Sequence, residues 1–489
     1  MKAYLLYPDR DFDADAALPF NAADLTQDLG VDVVLRAMAG DDEYLFDVAR
    51  RVVLASLHEV DLITYRQRVL SDCLAQPNVV RQLYQLAVDT IAGEKKIWGF
   101  LAYRTPSAIL YRSVNVLEFM VGQLRTLRAL TRDAAPRFGS DGLAAFCSRV
   151  TSELDDGYFA SIQDHLKRLK FRNGVLISAK LGEGNKGVGY VVRSPREVKR
   201  SFVDQIAGRN REPSYTVRIG DRDEAGAQAM SELQNRGINL VANALGQSTD
   251  HIVSFFQMLR FELGFYVGCL QLHERLTSKG EPVCLPTPSA VGSGSFSGRG
   301  LYDVSLSLEI ADRVVGNDVS AGGKTLLVLT GANTGGKSTL LRGIGLAQLV
   351  LQAGMFVGAE ALTASVCTGL FTHYKREEDD TMTSGKLDEE LARMSAIADR
   401  VGPHGMVLFK RVVRSDQRAG GLGDRATDRA GAARARRQGL LRDALLRPGA
   451  RVVVAADAVG AVLARRETGR RAAYVQADGG RAAADKFRC

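Results

Sequence analysis

Residues 325–339 read Thr-Leu-Leu-Val-Leu-Thr-Gly-Ala-Asn-Thr-Gly-Gly-Lys-Ser-Thr, an apolar strand running through a glycine-rich turn into a helix. No other stretch constrains the fold as strongly. A buried apolar strand needs partners on both edges, and a helix that follows it directly returns over the sheet, so the unit belongs to an α/β domain with a mostly parallel sheet. The turn carries Gly331-x-x-x-x-Gly336-Lys337-Ser338, the P-loop pattern. Its chemistry requires those residue types. Gly331, Gly335 and Gly336 let backbone N–H groups approach phosphates that a Cβ would hold off. Lys337 reaches the β/γ-phosphates, and the Ser338 hydroxyl is suited to ligand Mg²⁺. Leu340, Leu341, Ile344 and Leu349 recur at helical spacing after it, and the helix start adds its positive dipole end. The segment predicts a nucleoside triphosphate site.

Flanking residues are more specific. Gly331-Ala-Asn333-Thr-Gly-Gly-Lys-Ser-Thr339 resembles the loop of the MutS family of DNA-repair ATPases, typically Gly-Pro-Asn-Met-Gly-Gly-Lys-Ser-Thr. Gln352-Ala-Gly-Met-Phe-Val-Gly-Ala359 is similar to that family's Gln-x-Gly-x-Phe-Val-Pro-Ala. Phe371-Thr372, the acidic run 377–380 and Ser384-Gly385 follow in the family's order. Val315-Gly-Asn317-Asp318 resembles the segment near the adenine, and Arg66–Leu70 the opening of the family's helical core. The resemblance implies ATP with Mg²⁺, a DNA partner and a homodimer. In that dimer Asn317 lies near the base, Asn333 along the loop, Thr339 supports the phosphates, and Ser384 meets the partner subunit's nucleotide. Two features depart from the family. No Phe-x-Glu mismatch wedge occurs, with only about 30 residues before the core-like segment. The helix that usually opens Ser-x-Ser-Thr-Phe reads Ser-Gly-Lys-Leu-Asp here.

Helical periodicity runs over about 31–165, through Val31, Val34, Leu35, Leu45, Val48, Val52 and on to Val114, Leu117, Val121, Leu124. Short β-rich pieces, 174–178, 187–192 and 214–219, then interrupt it, and a long helical pattern resumes over about 224–277. Such an insert between long helices resembles the family's lever and DNA clamp. The division is therefore an N-terminal segment 1–30, a helical core and lever 31–285 with a clamp-like insert at about 172–220, an ATPase domain 286–410 and a tail 411–489. The Ser/Gly-rich stretch 287–300 reads as a boundary loop. Lys167, Arg168, Lys170, Arg172, Arg193, Arg196, Lys199 and Arg200 flank the insert. They suit phosphate contacts without sequence preference, or simply solvated faces.

Acidic residues near the N-terminus, scattered cysteines without Cys-x-x-Cys, and no clean apolar span point to a cytoplasmic protein with no membrane role. The net charge of +8 is uneven: the tail holds 17 Arg and one Lys against eight acids, so it alone carries +10 and the rest −2. A basic pI is thus no argument for DNA binding by the body of the chain.

A P-loop ATPase needs a second strand ending in acids that hold Mg²⁺ and polarise water. The strand Met406–Phe409 is present, but Lys410 and Arg411 occupy the acidic positions. Beyond it, residues 411–489 contain no Ile, Asn, Met, His or Trp and a single Glu, a bias typical of GC-rich DNA read out of frame. With one base removed near the Lys410 codon, the tail can encode Asn-Glu-Ser-Phe-Ala-Ala-Thr-Asn-Glu, and the codons from Arg442 to Leu445 can encode Val-Thr-His, both MutS-like. An out-of-frame tail was never selected to pack, so the sheet is expected to lack its later strands. Two functions remain open: an ATP-dependent DNA-binding protein, or a catalytically inactive DNA-binding or interaction relative. A transporter ATPase would need a membrane partner, and a chromosome-structure ATPase longer coiled coils.

Overall fold

A computed structural model of the chain describes residues 1–98, 105–171, 175–193, 218–220, 222–330, 336–374, 386–410, 449–455 and 472–476. It is a mixed helix-and-sheet protein with two compact units. The first comprises Met1–Ala3, Gln82–Pro136 and Cys147–Arg260; the second Tyr4–Arg81, Arg137–Phe146 and Phe261–Cys489.

Helices dominate the N-terminal half: α1 (Ala22–Leu29), α2 (Val31–Ala39), α3 (Glu43–Leu54), α4 (Val60–Ala75), α5 (Pro77–Trp98), α6 (Pro106–Ala134), α7 (Asp141–Glu153) and α8 (Asp156–Leu169). Local signals set their starts. Asp42 accepts from the Tyr44 and Leu45 amides to cap α3, and Asp155 accepts from Tyr158 to cap α8. In the first unit, strands β1 (Leu176–Leu181) and β2 (Gly187–Arg193) form an antiparallel ribbon. Helix α9 (Glu224–Ser278) packs on it at Gly237, where a Cβ would lie 2.6 Å from Ile177 Cδ1. The expected strand at 214–219 falls outside the described residues except for 218–219, which are not in a strand. Helix α9 also corrects the expectation that no segment could span a bilayer. By length and apolarity it could, but 67% of its apolar window is buried inside the fold.

The second unit carries two sheets. A four-stranded mixed sheet has the order β3 (Thr287–Ser289), β7 (Ala361–Ser365), β4 (Phe296–Leu301), β5 (Asn317–Ser320). The predicted boundary loop 287–300 therefore supplies strands, since Phe296 and Gly298 are buried and pair with β7. Short α10 (Val304–Glu309) follows β4. A five-stranded sheet, parallel at every pairing, has the order β11 (Ala472–Gln476), β6 (Leu326–Thr330), β10 (Arg451–Ala455), β9 (Met406–Lys410), β8 (Leu370–Tyr374). Side-chain alternation assigns its faces. Leu326, Val328, Val407, Phe409, Val452 and Val454 join Met394 and Ile397 of α12 (Lys386–Arg400), and Val401 just after it, in one core. On α11 (Lys337–Gln352), Gly345 lies close to Leu408, an alternate residue of β9: a Cβ there would sit 2.7 Å from Leu408 Cδ1 and 2.5 Å from Leu29 Cδ2.

The expectation that the tail supplies no later strands is overturned at 451–455 and 472–476. Val452, Val453 and Val454 are buried, and their β-branched run suits a central parallel strand whatever its coding origin. β10 pairs on both edges, Val453 with Leu327 and with Leu408.

The Gln352-Ala-Gly motif acquires a structural meaning. The buried Gln352 amide donates to Leu57 O at 2.9 Å and Cys367 O at 3.0 Å, and its Oε1 accepts from Cys367 N at 3.2 Å. Gly354, at φ +79°, passes so near Arg66 that a Cβ would lie 2.5 Å from Arg66 Cβ. Replacing Gln352 by Leu strands those backbone groups. It should lower the unfolding free energy by about 2–4 kcal/mol, read as a lower urea midpoint at unchanged slope.

The N-terminal segment is core rather than appendage. Leu5 and Leu6 are fully buried; Glu262 accepts from Leu5 N at 2.7 Å, Tyr266 donates to Leu5 O at 2.7 Å, and Arg66 Nε donates to Leu6 O at 2.9 Å. Burial pushes the Glu262 carboxyl up to about 7, against the opposing Leu5 amide. The folded state therefore holds this proton more tightly than the unfolded chain. The contribution to stability is complete below the ordinary carboxylate range and is lost as pH rises through about 7. Between pH 5 and 8, wild type should lose stability relative to Glu262→Gln by on the order of 3 kcal/mol in urea melts; parallel curves would overturn this.

Candidate nucleotide and DNA sites

Strand register places one end of each parallel strand at a common edge. Gln476 pairs with Thr330, Ala455 with Lys410, and Tyr374 with Lys410. In open parallel sheets ligands bind outside this carboxyl edge. β6 ends at Thr330, and α11 starts at Lys337 after Gly336, whose φ of +74° suits the glycine. Lys337 and Thr339 are partly buried and Ser338 is exposed, all in the first turn of α11. A cation, two hydroxyls and a helix start thus share one place, which suits an anionic phosphate. Gly331, Asn333 and Gly335 lie outside the described residues, as does Ser384. Asn317 opens β5 in the other sheet and donates to Val315 O at 3.4 Å. Its neighbour Gly316 is pressed so closely on Gly300 that a Cβ would lie 2.5 Å from the Gly300 carbonyl oxygen.

Lys410 ends β9 at the same edge, its ammonium 5.7 Å from the Tyr374 ring centroid. Arg411 lies outside the described residues. The donor set therefore fits a phosphate better than a divalent metal, which needs anionic or neutral oxygen ligands. Among the described residues no cluster of three His, Cys, Asp or Glu could hold a metal ion.

Sequence reasoning missed a polar cluster behind this edge. Asp28 of α1 accepts from Tyr374 N at 3.3 Å and pairs with Arg393 of α12 at 3.3 Å, and Arg393 also meets Asp24 at 3.2 Å. Burial pushes the Asp28 carboxyl up, opposed in part by Arg393. Asp28 and Tyr374 are separated by 346 residues, so no local pattern announces the contact. Asp303, buried, caps α10 and pairs with Arg342 of α11.

The basic candidates belong to the first unit. Lys167 and Arg168 lie in the last turn of α8, with Lys170 its C-cap, where the helix dipole favours cations. Lys170 pairs with Glu118 at 2.6 Å and Arg168 with Asp164 at 2.9 Å. Register brings Arg193 opposite Leu176, back at the root of the ribbon, where Arg193 Nε donates to Ser178 Oγ at 2.9 Å. Arg172, Arg196, Lys199 and Arg200 lie outside the described residues. Pairing brings four candidates near the ribbon root, but local partners already engage three of them.

Together these features define a multidomain α/β protein with long helices and a parallel sheet. A family model described as the MutS2 N-terminal domain matches residues 58–279, and one described as MutS domain V matches 327–425. The chain belongs to the MutS family. The second match runs past Lys410 into the tail. Among similar proteins, a DNA mismatch repair protein MutS of Synechococcus sp. (strain CC9311) is 26% identical over 293 residues, 58% of this chain and 31% of that protein. The DNA mismatch repair protein MutS of Thermosynechococcus vestitus is 34% identical over 109 residues, 22% of this chain and 12% of its own length. An Endonuclease MutS2 of Geobacillus thermodenitrificans is 32% identical over 100 residues, 20% of this chain and 13% of that protein. The matches thus span under a third of these relatives.

If the ribbon root contacts DNA phosphates, neutralising Lys167, Lys170 and Arg193 together should flatten the slope of log affinity against log salt by about 2–3. The comparison uses duplex DNA and the full chain, so that the arginine-rich tail contributes equally to both proteins and β10 and β11 stay in place. An unchanged slope would leave these charges as solvated and ion-paired surface.

Proposed function

We propose that this chain is a DNA-binding member of the MutS family, related to mismatch repair or recombination, whose ATP site binds nucleotide but does not turn it over. The observation that carries the reading is Lys410 in register at the carboxyl edge, where a hydrolytic site needs a carboxylate. Lys337 neutralises the β/γ-phosphates, Ser338 and Thr339 complete the first turn around them, and Gly331, Gly335 and Gly336 admit the backbone. Asn317 and Asn333 flank the nucleotide. When bound, Mg²⁺ would supply charge neutralisation between the phosphates, with Ser338 its ligand. Water activation has no base: a lysine ammonium cannot accept the proton. In a homodimer, Ser384 would face the partner subunit's nucleotide, and the ribbon with its basic root would grip DNA. An intact ancestor with Asp or Asn and Glu at positions 410 and 411 would couple the same clamp to hydrolysis.

Lys337→Ala should weaken ATP binding by about 2–4 kcal/mol in calorimetry, because it leaves phosphate charge unpaired. Steady-state hydrolysis should stay near background in both proteins. Equal ATP affinity would remove the nucleotide site, whereas robust Lys337-dependent turnover would remove only the claim of inactivity.

A further inference from the structure

A cavity opens at the opposite, amino-terminal edge of the five-stranded sheet. It holds about 230 Å³ and is lined by Lys324 just before β6, His404 just before β9, Arg451 at the start of β10, Gln348 of α11 and the glycine turn 292–294. Among the described residues no carboxylate lines it. Arg451 is only 8% exposed. Its guanidinium donates to Gly294 O at 2.6 Å and Ser295 O at 3.3 Å, and lies 5.2 Å from the Phe296 ring centroid. A guanidinium has five N–H donors. Its buried Nε finds no partner, and among the described residues no acid pairs with it. Gln348, 1% exposed, spends its Nε2 on Gln352 Oε1 and Ser365 O, while its Oε1 accepts nothing. Two residues lining the cavity thus each keep a buried polar atom without a partner: the Arg451 Nε, a donor, and the Gln348 Oε1, an acceptor.

The wall is closely packed around His404. The His404 ring is slotted between two glycines. A Cβ at Gly292 would sit 2.9 Å from His404 Cε1, and one at Gly449 would collide with His404 Nδ1. Both glycines have positive φ, 83° and 69°. Burying an unpaired guanidinium is unfavourable, and burial does push Arg451 below its ordinary value. A bound anion would remove that penalty.

We propose that this cavity is an anion site, separate from the nucleotide edge, that takes a singly protonated phosphate, free or as a small phosphomonoester. Arg451 and Lys324 face the charged oxygens, and Gln348 Oε1 accepts from the ligand's hydroxyl. The inference does not rest on the nucleotide reading, since all its residues lie at the other end of the strands.

The test uses the full chain carrying Lys337→Ala, which silences phosphate binding at the P-loop. Inorganic phosphate and ribose 5-phosphate are titrated separately by calorimetry. Binding by this protein, weakened at least tenfold by Arg451→Met and by Lys324→Met, is the expected result. Tighter binding of ribose 5-phosphate identifies a monoester site, and equal or tighter binding of phosphate a site for the free ion. If Arg451→Met fails to fold by circular dichroism, Lys324→Met decides. No binding of either probe, or binding that survives the substitutions in folded protein, overturns the proposal.

Discussion

A parallel sheet cannot leave a gap in its middle. β6 and β9 each present a full row of backbone N–H and C=O groups toward the slot between them, too far inside the fold for water to satisfy. β10 fills that slot and pairs on both sides. Val452 and Val454 complete the face covered by α12, while the alternate Val453 lies on the other side of the strand. Each buried valine contributes about 1.5–3 kcal/mol, and each satisfied pair of backbone groups avoids a larger penalty. The rest of the second unit hangs on this closure, because it fixes the distance between Thr330, where the phosphate loop begins, and Lys410, where the second motif ends.

Most of that architecture was legible from local pattern. The run Leu326–Thr330, the glycines after it and the periodicity through Leu349 predicted β6 and α11 closely, because short-range sterics and periodicity dictate both. Long helices over 31–165 and 224–277 followed from apolar spacing alone. Three features resisted. Residues 287–300 looked like a linker because serine and glycine dominate, yet buried Phe296 and pairing to β7 make strands of them. Val452–Val454 was judged by the composition of the tail around it rather than by its own β-branched run. The Asp28–Arg393–Tyr374 cluster joins residues hundreds apart, and no single-sequence signal encodes such a contact.

The two candidate sites differ in how their charge is managed. At the ribbon root, Glu118 and Asp164 offset basic residues, so any DNA phosphate must compete with an existing partner. Exposed pairs of this kind are worth little, so the exchange is cheap and salt-sensitive. At the sheet edge the difficulty is reversed: Lys410 adds a cation where hydrolysis requires an anion. In the proposed nucleotide site, that added positive charge would favour holding a triphosphate and disfavour splitting it, so that binding and chemistry would depend on different strand ends.

Helix α11 begins at Lys337 and ends at Gln352, 16 residues and so about 24 Å along its axis. Its first turn is the proposed phosphate end, and its last residue is bolted by both main chain and side chain to Leu57, whose amide donates to Gln352 O at 2.8 Å. Twelve of its 16 residues are buried, so the surrounding packing opposes bending. A pull on its first turn therefore arrives as an axial load on the loop that precedes α4. Linkage is reciprocal, so a ligand that tightens the phosphate end through this helix must also slow amide exchange at Leu57, and loosening that junction must weaken the ligand by the same free energy.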